Sequence, residues 1–338
     1  MKSFRILLVC LLAVLLVAQS GVAQERKAGL TGAAFLKIGV GARNAALGTA
    51  VSALSGDVTS MFYNPAGIAL KDEKLQASFT YNKWIADIGH SAAAVSYNLE
   101  GIGTIGLGFI TFGVSDIATL RDIPVDPALA PFQIDMNTSS TYDYRDMAYQ
   151  LTFSRYVMDK LALGITVKGV SQSIDGESAT AWAVDFGSVY HIGILDWTIA
   201  ARFNNLGSDL TFYDIAAPLP LQFTIGTALM PYKDDKFGLL VSLDAAKPQD
   251  GPLYIFAGTE YQIMNVLSLR GGYKFNYSGT DEVTSTGGTA INSTIEGITA
   301  GAGVHTTMSG YGISFDYAYT HMDLLDAAHR FTLTIGMK

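Results

Sequence analysis

From Leu75 onward the chain is a succession of segments, each about ten residues long, in which apolar side chains alternate with small or polar ones. Leu75, Ala77, Phe79 and Tyr81 fall on one face, with Gln76, Ser78, Thr80 and Asn82 on the other. Trp182, Val184 and Phe186 oppose Ala183, Asp185 and Gly187; Tyr311, Ile313, Phe315, Tyr317 and Tyr319 oppose Gly312, Ser314, Asp316, Ala318 and Thr320. A period of two belongs to strands, whose successive Cβ atoms point to opposite faces; a helix would repeat near 3.6. Segment starts near Leu75, Ser91, Ile102, Asp146, Leu161, Ala181, Asp196, Leu221, Phe237, Leu253, Val266, Ile295, Gly310 and Arg330 predict about fourteen strands.

Alternation alone does not separate a soluble sandwich from a membrane barrel, because both have one apolar face. Three features favour the barrel. The first residues read as a secretory leader: Lys2 and Arg5 form a basic start, Ile6 to Ala18 an apolar run too short to span, and Gly21-Val22-Ala23 a small-residue cleavage site. The chain is 49% hydrophobic and only 15% charged, yet has no later apolar run of membrane-spanning length, as expected when hydrophobicity is dispersed over alternate positions. Aromatic residues such as Trp84, Tyr97, Trp197, Tyr261 and Tyr319 stand near the expected strand ends, where an interfacial belt would lie. The expected architecture is all-β: a transmembrane antiparallel β-barrel of about fourteen strands, residues 74–338, preceded by a leader (1–23) and a short N-terminal helical plug (24–73), in the outer membrane of a Gram-negative-type bacterium. The polar face, which carries Lys168, Asp185, Arg202, Asp244, Arg270, Lys274 and Asp316, would then line the lumen. The last segment, Arg330 to Lys338, would close on the first.

Several function classes are disfavoured. With 22 basic against 30 acidic residues, the surface is wrong for nucleic acid, and loss of Lys2 and Arg5 with the leader makes it more acidic. Cys10, the single cysteine, lies in the leader, so neither disulfides nor thiol chemistry are expected. Gly101-Ile-Gly103-Thr-Ile-Gly106 matches a dinucleotide fingerprint, but no helix follows, and a tight turn leading into a small-residue lumen face accounts for it. His90, His191, His305, His321 and His329 have no metal-ligand spacing, and no nucleophile elbow is present. No enzyme activity, metal or cofactor is expected. Two long connections, 114–145 with five aspartates and three prolines and 278–294 rich in Gly, Ser and Thr, read as extracellular loops.

Before the first strand, Ala46, Leu47, Ala50, Val51 and Leu54 recur at helical spacing and predict a short slim helix, with Gly48 keeping it narrow. Asp57 can cap the following turn; Asn64-Pro65 ends it, and Ala66-Gly67 lets the chain reverse into the barrel. Arg43 and Asp57 either pair in the lumen or are solvated separately.

These residues carry a resemblance. FLKIGVGARNAALGTAVSAL, then Gly56-Asp57, then Tyr63-Asn64-Pro65-Ala66-Gly67 resemble the N-terminal signature of the PorV/PorQ family, barrels similar in fold to the FadL long-chain fatty-acid transporters. The resemblance covers about 35 to 88 and implies a fourteen-strand barrel with a plug, in which Arg43, Gly48, Asp57, Asn64, Pro65, Ala66 and Gly67 are the motif residues. It further implies a non-enzymatic component of type IX protein secretion, either substrate shuttle or surface attachment-complex anchor, with outer-membrane lipid around the wall and protein partners at loops 114–145 and 278–294. The alternative is a FadL-like channel for long-chain fatty acids or other hydrophobic compounds, with a hydrophobic ligand in the lumen.

Overall fold

The computed structural model describes residues 30–69, 73–119, 141–275, 296–322 and 325–337. The expected leader lies outside them, as do residues 120–140 of the first long connection and all of 278–294. Fourteen strands among the described residues close into an antiparallel barrel. In chain order they are β1 (Leu75–Lys83), β2 (Gly89–Leu99), β3 (Gly103–Ala118), β4 (Thr141–Met158), β5 (Leu161–Ile174), β6 (Glu177–His191), β7 (Thr198–Gly207), β10 (Gln222–Lys233), β11 (Phe237–Pro248), β12 (Tyr254–Ile263), β13 (Leu267–Phe275), β14 (Ile298–Met308), β15 (Tyr311–Thr320) and β16 (Ala328–Met337). A separate two-stranded hairpin, β8 (Leu210–Phe212) with β9 (Ile215–Ala217), stands between β7 and β10. Each barrel strand pairs with its neighbours in sequence, and β16 closes on β1 from Leu75↔Met337 to Lys83↔His329.

The burial pattern decides the question that alternation left open. Phe79, Leu107, Leu151, Trp182, Phe203, Ile225 and Phe315 are exposed, whereas Thr80, Asp146, Thr166, Asp185, Asp244 and Glu260 are buried. A soluble fold places these sets the other way round; a lipid-facing wall around a filled polar lumen requires this arrangement. The chain is therefore an all-β transmembrane barrel. Connections at one end are tight, such as Asp159–Lys160 and Ser309–Gly310; those at the other include 119–140 and 276–297, which marks the latter end as extracellular.

Two sequence expectations shift. The first long connection does not begin at Val114 or end at Arg145: Val114–Ala118 continues β3 and Thr141–Arg145 begins β4, paired across a bulge between Val114 and Ile117. An extra residue on one strand restores pairing after an irregularity that reads as loop. Trp84 does not belong to a lipid-facing belt; it packs partly buried, with the Arg330 guanidinium 5.4 Å from its ring centre.

Inside the barrel, residues 31–69 fill much of the lumen through short turns: Ala34–Lys37, α1 (Ala42–Ala46), Val58–Phe62 and Pro65–Ile68. The helix expected around Ala46 to Leu54 is thus shorter and earlier. It stops because Gly48 and Thr49 take φ of 62° and 63°, a left-handed conformation that no helix continues.

Candidate functional site

Asn64-Pro65 starts a turn rather than ending one. The Asn64 side chain accepts from Ala66 N–H at 3.0 Å and caps Pro65–Ile68, while Pro65, lacking an N–H, occupies the first helical position, where no donor is needed. Asn64 Nδ2 donates to the Ser52 carbonyl at 2.7 Å and to the Ser188 carbonyl of β6 at 3.1 Å, so one side chain ties its own turn to an earlier loop and to the wall. Gly67 serves close packing and not reversal: a Cβ there would lie 2.6 Å from Ser60 Oγ. Asp57 caps its turn as expected, accepting from Thr59 N–H at 2.8 Å.

The inner segment is seated on glycines of the wall. A Cβ on Gly164 would meet the Pro65–Ala66 peptide, one on Gly187 the Asn64 carboxamide, one on Gly258 Leu47, one on Gly272 the Leu47–Gly48 peptide and one on Gly301 Ala46. Residues 46–66 therefore run round the lumen directly against five strands, with their backbone against Gly164, Gly258 and Gly272 and the side chains of Asn64 and Ala46 against Gly187 and Gly301. Read in sequence, these glycines are only part of a small-residue face; their role appears once both surfaces are seen together.

Charged groups of the lumen pin the segment between the glycines. Arg43 does not pair with Asp57; it donates from Nε to Glu260 Oε2 at 2.9 Å and from a terminal nitrogen to Oε1 at 3.0 Å, and the carboxylate holds this guanidinium above its ordinary value. Asp244 accepts from Ser52 N–H at 3.0 Å and Ser52 Oγ at 2.6 Å, and Arg202 donates to Ser52 Oγ at 2.7 Å. At the extracellular end, Gly32 N–H donates to the Pro218 carbonyl at 2.9 Å, and Asp250 accepts from Thr31 Oγ1 at 2.6 Å and from Lys37. Burial alone would raise the Asp250 carboxyl, but the Lys37 and Thr31 hydrogen bonds outweigh it and hold the group below its usual 3.8. Glu260, Asp244 and Arg202 escaped the sequence reading as anchors; a charge in mid-strand was the available signal.

Below this extracellular strap lies a cavity of about 270 Å³. Leu36, Ile38, Val40 and Phe62 from the inner segment and Ile110 and Phe256 from the wall supply apolar surface; Gln150, Lys168, Arg202 and Asn204 form a polar row. A second chamber of about 260 Å³ opens on the periplasmic side and is hydrophilic, with Arg43, Asp57, Glu260, Arg270 and Asp316 on its walls. The stretch from Val40 to Thr49 stands between the two. The upper cavity draws on residues from twelve separate stretches of chain, which is why no local motif announced it.

No family model matches the sequence, and no curated protein matches it. Solved structures do. The chain is similar to the toluene transporter TbuX of Ralstonia pickettii (15% identity, 88% of this chain and 97% of that one, TM-score 0.55). It is also similar to the toluene transporter TodX of Pseudomonas putida (13% identity, 88% and 97%, TM-score 0.54) and to a mutant of the TodX monoaromatic hydrocarbon channel (13% identity, 88% and 98%, TM-score 0.58). These likenesses correct the expectation of a PorV/PorQ component of type IX secretion. The barrels named here, matched over nearly their whole length, are hydrocarbon transporters and channels, and the protein partners expected at 114–145 and 278–294 fall with that reading. The physical reason is that Asn64, Pro65 and Gly67 encode how an inner segment turns and packs, which is indifferent to what the barrel carries. At these identities the likeness establishes the fold, an outer-membrane-type barrel of fourteen strands with an N-terminal element inside it.

Proposed function

We propose that the protein is a non-enzymatic outer-membrane channel for small hydrophobic compounds, with residues 24–73 acting as its plug and 74–338 as its wall. The upper cavity carries this reading: apolar side chains of plug and wall converge on a space of about 270 Å³ beneath the extracellular mouth, the form expected of a site for a small apolar ligand. The hydrophilic periplasmic chamber suits it too, because a compound released there leaves apolar surface for water only after passing the Val40–Thr49 stretch. The similarity to toluene transporters and monoaromatic hydrocarbon channels supports the same class of cargo.

The test is uptake by cells of an outer-membrane host lacking such channels. Expression should accelerate entry of labelled toluene severalfold and leave entry of a labelled sugar unchanged. Equal acceleration of both would mean a general pore, and acceleration of neither would overturn the proposal.

A further inference from the structure

The polar row of the upper cavity is saturated almost throughout. Four cations border it, Lys37, Lys168, Arg202 and Lys274, and each is answered by a carboxylate. Lys168 Nζ meets Asp185 at 2.6 Å and donates to Asn205 Oδ1 at 2.9 Å. Lys37 meets Asp250, Lys274 meets Glu296, and Arg202 reaches Asp244 through the Ser52 hydroxyl. An anionic ligand would have to displace one of these carboxylates and leave it buried without its partner, which is strongly unfavourable.

Gln150 differs. It sits on β4, is 4% exposed, lines the cavity, and its Nε2 has no hydrogen-bond acceptor. Its side chain leans over Gly108 of β3, where a Cβ would come within 2.8 Å of Nε2, and it stands opposite Lys168 in the β4–β5 register. Lys168 has only donors to offer it, and the Asn204 Oδ1 acceptor is taken by Arg202 at 2.9 Å, so no neighbour in that row supplies the missing acceptor. A buried amide donor left unpaired is costly, and an oxygen brought in by a ligand removes the cost; a pure hydrocarbon cannot do so.

We infer that Gln150 is a specificity-determining residue and that the preferred ligand is a neutral compound with an apolar body and one hydrogen-bonding oxygen, such as an alcohol, phenol or ketone. This rests on the channel reading above. Its apolar part occupies the surface of Leu36, Ile38, Phe62 and Ile110, and its oxygen accepts from the Gln150 amide once the carboxamide turns from Gly108 toward the cavity.

The probes are para-fluorobenzyl alcohol and para-fluorotoluene, which share a ring and differ by one hydroxyl, followed by fluorine NMR with the purified full chain in detergent and with empty micelles as reference. After subtraction of micelle partitioning, the wild type should bind the alcohol about tenfold more tightly than the toluene. Gln150→Leu should remove that preference, bringing the ratio of the two affinities to about one. Both probes binding with the same ratio in wild type and variant overturns the inference while the channel reading stands. Binding of neither overturns both. If Gln150→Leu fails to fold, the wild-type ratio decides alone: a ratio at or below one overturns the assignment.

Discussion

Arg43 and Glu260 meet in a two-pronged pair, with nitrogen–oxygen distances of 2.9 and 3.0 Å, and Glu260 Oε2 also accepts from Arg270 Nε at 2.5 Å. Arg270 in turn donates to Asp316 Oδ1 at 2.6 Å, so a single carboxylate joins the first helix of the plug to a charge ladder across β12, β13 and β15. The two partners of this pair are not equivalent. Loss of Arg43 leaves Glu260 with Arg270, whereas loss of the Glu260 charge leaves two guanidinium groups short of an acceptor. Glu260→Gln is expected to cost about 3 kcal/mol and Arg43→Gln about 1 kcal/mol, since orphaning buried charges costs more than thinning a network. Chemical unfolding in detergent, followed by tryptophan fluorescence, measures the difference; equal costs would contradict it.

The wall glycines offer a paired experiment. Gly272→Ala places a methyl into the Leu47–Gly48 peptide, while Gly271→Ala, one residue away on the lipid face, meets nothing within 4 Å. The first should displace the plug at a cost of about 1–3 kcal/mol and raise entry of large antibiotics; the second should be neutral. Minimum inhibitory concentrations at matched protein levels report the outcome.

Asn64 should matter more than Pro65. Asn64→Ala deprives Ala66 N–H of its acceptor and the Ser52 and Ser188 carbonyls of a donor in a fully buried place, for about 2–3 kcal/mol. Pro65→Ala keeps the cap and chiefly frees the unfolded chain, for under about 1 kcal/mol. Leakage of small solutes should follow the same order.

The strap should be pH-sensitive only in strong acid. Because the Asp250 carboxyl is depressed in the folded chain, its contribution is fully present above its ordinary 3.8 and fades as pH falls through the lower folded value. Hydrogen exchange at Leu36 and Ile38, corrected for intrinsic rates, should stay slow at neutral and mildly acidic pH and quicken below that point. Asp250→Asn should quicken it at all pH values.

Much of the barrel was legible without coordinates. The starts read near Leu75, Leu161, Phe237 and Val266 fall within a residue of β1, β5, β11 and β13, because a period of two is imposed by strand geometry at each residue. The start read near Asp146 was five residues late, since the charged Asp143 and Arg145 occupy outward positions of β4 where an apolar set would have announced the strand. The polar face, with Lys168, Asp185 and Arg202, was likewise visible as a face.

What the sequence by itself determined was this local alternation, the strand number it implies, and the turn chemistry of Asp57 and Asn64-Pro65. Only the tertiary structure decided which face met lipid, that Arg43 met Glu260 instead of Asp57, and that Gly164, Gly258 and Gly272 seat a backbone. It alone gathered Leu36, Ile110, Gln150 and Phe256 around one cavity. Alternation is a property of neighbours along the chain, whereas these contacts join residues tens to hundreds apart and exist only because β16 closes on β1 around the segment inside.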